Sequence, residues 1–110
     1  MRQLIFAVSI FCASTADAAF FTYSEWDRLS EDGRAMYIAG AYDSLTGYAS
    51  DDRGASTARH YQQCVARAKM SNAQLAANIR VFAASRPSMQ SSTVQNALVN
   101  YLIEACGKAP

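Results

Sequence analysis

CVARAKMSNAQLAANIRVFAASRPSMQSSTVQNALVNYLIEACG, residues 64–107, is the stretch around which the fold is organised. Ser71 and Gln74 stand in the Ser-x-x-Gln order of a capping box, which satisfies orphan backbone donors at a helix start. Met70 before the cap and Leu75 after it occupy the positions of a hydrophobic staple. Leu75, Ile79 and Phe82 then recur at helical spacing. Pro87 ends the run, because the residue before a proline avoids the α region. A second Ser-x-x-Gln, Ser92 to Gln95, predicts the start of the next helix. Val94, Ala97, Leu98, Tyr101, Leu102 and Ala105 fall on one face of it. Gly107 follows Cys106, where a positive φ closes a helix at no steric cost. Two helices joined by so short a connection are expected to lie antiparallel. The end of the second then returns beside Cys64, a few residues ahead of the first cap, and the spacing predicts a Cys64–Cys106 disulfide.

The start of the chain sets the compartment in which that bond is expected. Arg2 supplies an early positive charge, Leu4 to Ala13 is an apolar run, and Ala16-Asp17-Ala18 fits a small-residue cleavage site. The run is about half of the roughly 20 residues that span a bilayer. Residues 1–18 therefore read as a secretory signal peptide, with a mature chain beginning at Ala19, no membrane span after cleavage and a periplasmic destination. A lipid anchor on Cys12 is disfavoured by the bulk of Phe11 before it. Removing the signal removes Cys12 and leaves an even pair, which in an exported chain usually bonds.

Residues 19–110 read as one helical domain, too short to be divided. Half of the residues are apolar (51%), enough for a core, and the formal net charge of +1 argues against a nucleic-acid partner. The charges are segregated. Residues 19–52 carry Glu25, Asp27, Glu31, Asp32, Asp43, Asp51 and Asp52 against two arginines. Residues 53–110 carry Arg53, Arg59, Arg67, Lys69, Arg80, Arg86 and Lys108 against Glu104. Either the halves pack together and partly neutralise each other, or a basic surface meets an acidic partner.

Thr22-Tyr23-Ser24-Glu25 is a further capping-box pattern and predicts a short helix through Trp26 and Leu29. Ser30 predicts the cap of a second helix from Glu31, with Ala35, Ile38, Ala39, Tyr42, Leu45 and Ala49 on its apolar face. Gly40 and Gly47 weaken it by up to about 1 kcal/mol each relative to alanine, and would let another helix approach closely. Asp51-Asp52-Arg53-Gly54 reads as a loop. Residues 56–66 read as a further helix, with an ordered loop as the alternative. The fold class is all-α, a small bundle of four to five helices with one disulfide-closed helical hairpin.

No residue pattern announces a chemistry. His60 is the only histidine, and no second His or spare Cys pair stands at metal-ligand spacing. There is no Gly-rich phosphate loop and no nucleophile elbow. Asp51 and Asp52 are adjacent carboxylates of the kind that is ordinarily solvated, and no supporting constellation accompanies them. No catalytic residue, metal site or cofactor is expected. Tyr37, Tyr42, Tyr48, Tyr61 and Tyr101 sit at helical spacing as core or boundary residues, a type that protein interfaces also favour.

The order Trp26-x-x-Leu29, Arg34-x-x-Tyr37-Ile38-x-Gly40, Cys64, Gln74-Leu75, Pro87, Ala97-Leu98, Tyr101, Cys106 resembles the Rap1a/Tai family of small exported immunity proteins. In that family a helix with a Tyr-x-x-Gly motif precedes a Cys…Gln-Leu…Pro…Ala-Leu…Cys hairpin. The resemblance implies a periplasmic protein that binds and sterically blocks a peptidoglycan amidase effector of a type VI secretion system. The family motif does not fix contact residues. The stretch before Cys64, with Asp51, Asp52, Arg53, Arg59, His60 and Tyr61, is the candidate partner-binding loop. Size, signal, helicity and a single bridge also resemble the HdeA-type periplasmic acid-stress chaperones, which act as homodimers. A small helical interaction module with another partner is the third alternative.

Overall fold

The computed structural model describes residues 21–47 and 51–110. The expected signal segment with Cys12, and Tyr48 and Ala49, lie outside the described residues. The described residues form five α-helices: α1 (Tyr23–Asp27), α2 (Glu31–Gly47), α3 (Asp52–Arg67), α4 (Asn72–Ala84) and α5 (Val94–Cys106). A 3-10 turn (Pro87–Ser91) separates the last two. The fold is a small all-α bundle, with no strand among the described residues and one antiparallel bridge, Thr22 to Thr93.

Local chemistry sets most helix starts. Thr22 and Glu25 form one reciprocal capping box, Ser71 and Gln74 another. Ser30 Oγ accepts the Gly33 N–H at 3.0 Å. At α5 the cap is one residue later than the sequence pattern suggests. Thr93, not Ser92, accepts the Asn96 N–H, at 3.1 Å. The reason is the bridge: Tyr23 N–H donates to the Ser92 carbonyl (2.7 Å) and Val94 N–H to the Phe21 carbonyl (3.0 Å), which holds Thr93 extended. Ser92 instead closes the 3-10 turn and accepts from the Asn96 side chain.

Asp51 to Gly54 is not a loop. Asp51 is the N-cap of α3, its carboxylate 2.7 Å from the Gly54 N–H, and Asp52 opens the helix. Asp and Gly are turn formers, but Asp is also among the best N-caps, and a glycine in the first turn is tolerated there. The helix read over residues 56–66 is present and extends to Asp52 and Arg67. Cys64 therefore lies within α3 rather than on an approach to α4.

The core is built from Trp26, Ile38, Leu75, Ile79, Val94, Leu98 and Leu102, all essentially sealed from solvent, with Tyr23, Tyr61 and Ala97 among them. Val94, Ala97, Leu98 and Leu102 are the expected face of α5; Ala105, expected on it, is exposed. The most extensive helix packing is α2 against α4, while α3 lies against α2 and α5. Gly40 and Gly47 do not mediate a close approach, since a Cβ added at either meets no atom within 4 Å.

One network locks the first two helices. The Trp26 indole N–H donates to the Arg34 carbonyl at 3.2 Å. Arg34 Nη1 in turn donates to the carbonyls of Asp27 and Leu29, which the short α1 cannot satisfy itself. Burial holds the Tyr23 phenol above its ordinary pKa; Asp27 adds to this, and Arg80 and Arg34 oppose it. Arg80 pairs with Asp27 at 2.7 Å, the one ion pair among the described residues that joins the acidic and basic halves. Arg86 pairs with Glu104 inside the second half. Direct ion pairing between the halves, among the described residues, is thus one half-exposed contact, to which Glu31 adds at longer range on Arg80.

The disulfide joins Cys64 to Cys106 with 5.8 Å between Cα atoms, inside the normal range. It fastens the last turn of α3 to the end of α5. Gly107 closes α5 with φ of 76° and its N–H on the Ile103 carbonyl.

The turn from α3 to α4 breaks a local rule. Lys69 N–H donates to the Ala66 carbonyl and Met70 N–H to the Val65 carbonyl, the paired bonds of a Schellman stop. Lys69 thereby takes φ of 53°, where glycine is the usual residue. A non-glycine residue there costs about 1–2 kcal/mol, whereas a cation near a helix C-terminus returns only about 0.3–1. Lys69→Gly is expected to stabilise the fold by about 0.5–1 kcal/mol, read as a raised denaturation midpoint in urea.

Candidate functional site

Of the six residues singled out in the sequence, Asp51 caps α3 and the other five lie in its first three turns, and the six do not share a face. Asp51 is engaged in capping, and Asp52 and Arg53 are exposed in the first turn. Arg59 is exposed, whereas Tyr61 is buried at 6% and belongs to the core. Tyr61 is therefore an anchor of α3 and not a contact residue. His60 lies between them, its ring edge-on to Tyr61 at 5.0 Å between centroids. Its Nε2 is 2.9 Å from the Gly107 carbonyl oxygen, which ties the chain end after α5 to α3. Arg53 and His60 are seven residues apart, about 10 Å along the helix. His60 and Arg59 thus belong with the disulfide end, and Asp51 to Arg53 with the other.

At the disulfide end the structure brings together residues from α3, the turn after it, α4 and α5. A groove of about 390 Å³ is lined by Cys64, Ala68, Met70, Gln74, Asn78, Tyr101 and Ala105. Tyr101 is its centre. The Asn78 side-chain amide donates to the Tyr101 hydroxyl at 3.1 Å and faces the Met70 sulfur at 3.4 Å. The Tyr101 hydroxyl is 3.6 Å from the same sulfur. Beyond Tyr101 a second hollow of about 390 Å³ opens between Asn78, Val81, Phe82, Ser85, Arg86 and Glu104. There the Arg86 guanidinium lies 3.9 Å from the Phe82 ring centroid and donates to Glu104 at 2.9 Å and to the Phe82 carbonyl at 2.7 Å. Arg86 is held in place by these contacts, and the Phe82 ring meets Tyr101 edge-on at 5.9 Å.

The first groove is uncharged. Its polar atoms belong to two carboxamides, a phenol and a thioether, groups that hydrogen-bond to a bound chain. The described residues contain no group of three or more His, Cys, Asp or Glu side chains able to hold a metal ion. No described helix is long and apolar enough to cross a membrane. Sequence periodicity marks Tyr101 as a helix-face residue, but Asn78 carries no sequence signal, and the groove depends on how α3, α4 and α5 cross, which no local pattern encodes.

No protein-family model, curated protein or solved structure matches this chain.

Proposed function

We propose that this chain is an exported, periplasmic immunity-type protein that binds and sterically blocks a peptidoglycan amidase effector. The observation that carries the reading is the Cys64–Cys106 bridge, which makes one rigid frame of α3 and α5. An inhibitor that blocks a substrate groove must present a surface already ordered, because ordering it on binding subtracts from affinity. The bridge is also compatible with an oxidising compartment. The motif order from Trp26 to Cys106 adds the resemblance to immunity proteins.

In mechanism the protein contributes bulk and fit. A helix face or groove edge covers the amidase cleft and keeps its nucleophile from cell-wall peptide. The test is inhibition. The oxidised chain, titrated into a type VI amidase effector from the same organism, is expected to abolish peptidoglycan cleavage at one-to-one stoichiometry. An amidase left fully active, together with acid-unfolded client proteins kept soluble at low pH, would replace this reading with the acid-stress chaperone.

A further inference from the structure

We propose that the groove centred on Met70, Asn78 and Tyr101 is the docking site for an acidic peptide segment of the protein partner, with Arg67, Lys69 and Lys108 as its cationic lip. This rests on the reading that the chain works by binding a protein, and it names the surface and the partner's chemistry.

The first support is the charge arrangement. Arg67 and Lys69 flank Ala68, which lines the groove, and Lys108 lies three residues beyond Ala105, which lines it from the other side. The contact of His60 with Gly107 keeps Lys108 at this end of α3. All three cations are exposed. The ion pairs among the described residues engage Arg80 and Arg86, so none of the lip cations has one there. Asp51 and Asp52, on the same helix as Arg67, are at its far end, about 22 Å away. An uncharged groove with a cationic lip complements a segment that inserts an uncharged side chain and carries carboxylates beside it.

The second support is the backbone of Lys69. A lysine is held at φ of 53°, where glycine would be less strained, and its two neighbours in the chain, Ala68 and Met70, both line the groove. Strain of this kind is retained where a side chain is needed for something other than folding. A peptide also fits better than an anionic membrane. Among the described residues the exposed large apolar side chains are Met36 on α2 and Val81 on α4, and neither lines this groove. Its carboxamides suit the alternating donors and acceptors of a peptide backbone.

The probe is an acetylated Glu-Glu-Leu-Glu-Glu peptide amide, titrated at low salt into the isotope-labelled oxidised chain and followed by amide chemical shifts. Shifts are expected to cluster at Lys69, Met70, Asn78, Tyr101 and Ala105 and to collapse as salt is raised. Arg67→Gln and Lys69→Gln should each weaken the peptide by about 2–5-fold. Lys69→Gly, with its higher melting temperature, should weaken it equally and so separate binding from folding. Shifts confined to Arg53 and Arg59, or an affinity indifferent to the lip substitutions, would overturn the proposal. So would phosphatidylglycerol vesicles that perturb these amides when the peptide does not. If Arg67→Gln/Lys69→Gln inhibits the amidase as well as the native chain, the groove is excluded while the blocking reading stands. If the peptide docks here and no amidase is inhibited, the groove stands with a different partner.

Discussion

Replacing Cys64 or Cys106 with serine is expected to cost about 2–5 kcal/mol and to leave the domain marginally stable. The bond spans 42 positions and encloses all of α4 and the 3-10 turn. In the chain-entropy account, closing such a loop removes on the order of 4 kcal/mol of unfolded-state entropy. A domain of this size has only about 5–15 kcal/mol in hand, so the loss is a large fraction of the whole. The bridge also holds the cationic lip, because Arg67 follows Cys64 by one turn and Lys108 follows Cys106 by two residues. Urea denaturation of the native chain and both serine variants measures the loss, and peptide mapping without reductant identifies the bond. Two free thiols in protein purified without reductant from an oxidising compartment, or serine variants as stable as the native chain, would contradict this account.

Trp26→Ala is expected to cost about 3–5 kcal/mol, the range for removing a fully buried aromatic. The indole has no exposed surface and packs beside Tyr23 at 5.6 Å between centroids. Its N–H donates to the Arg34 carbonyl, and Arg34 caps the carbonyls that α1 leaves open. Truncation therefore opens a cavity and loosens the joint between α1 and α2 together. Trp26→Phe keeps most of the packing and loses the indole donor, and about 1–3 kcal/mol is expected. Trp26 is the only tryptophan, so helical circular dichroism rather than fluorescence is the appropriate readout. A loss below about 1 kcal/mol in Trp26→Ala would mean that the site is not part of the cooperative core.

How much of this was legible in the sequence differs by level. Capping boxes at Thr22 and Ser71, the spacing of Leu75, Ile79 and Phe82, and the pairing of Cys64 with Cys106 were readable because each depends on short-range rules or on cysteine count. The Thr93 cap was not, because the bridge from Thr22 holds that residue from far away in the chain. Asp51 to Gly54 was misread because a helix start and a loop use the same residues. The candidate contact stretch failed at Tyr61 for another reason: which face of a helix is buried depends on its neighbours, and α3 turns that side chain into the core. The groove at Tyr101 depends on three helices meeting, and the left-handed Lys69 on a stop that sequence rules would assign to glycine.

Calorimetric titration of a type VI amidase effector with the oxidised and the reduced chain tests the central claim most directly, because it reads binding and pre-organisation together. The account predicts a one-to-one complex with Kd on the order of nanomolar for the oxidised chain, and binding weaker by at least about tenfold once the bridge is reduced. Equal affinity in both states, or no complex with the oxidised chain, would contradict it.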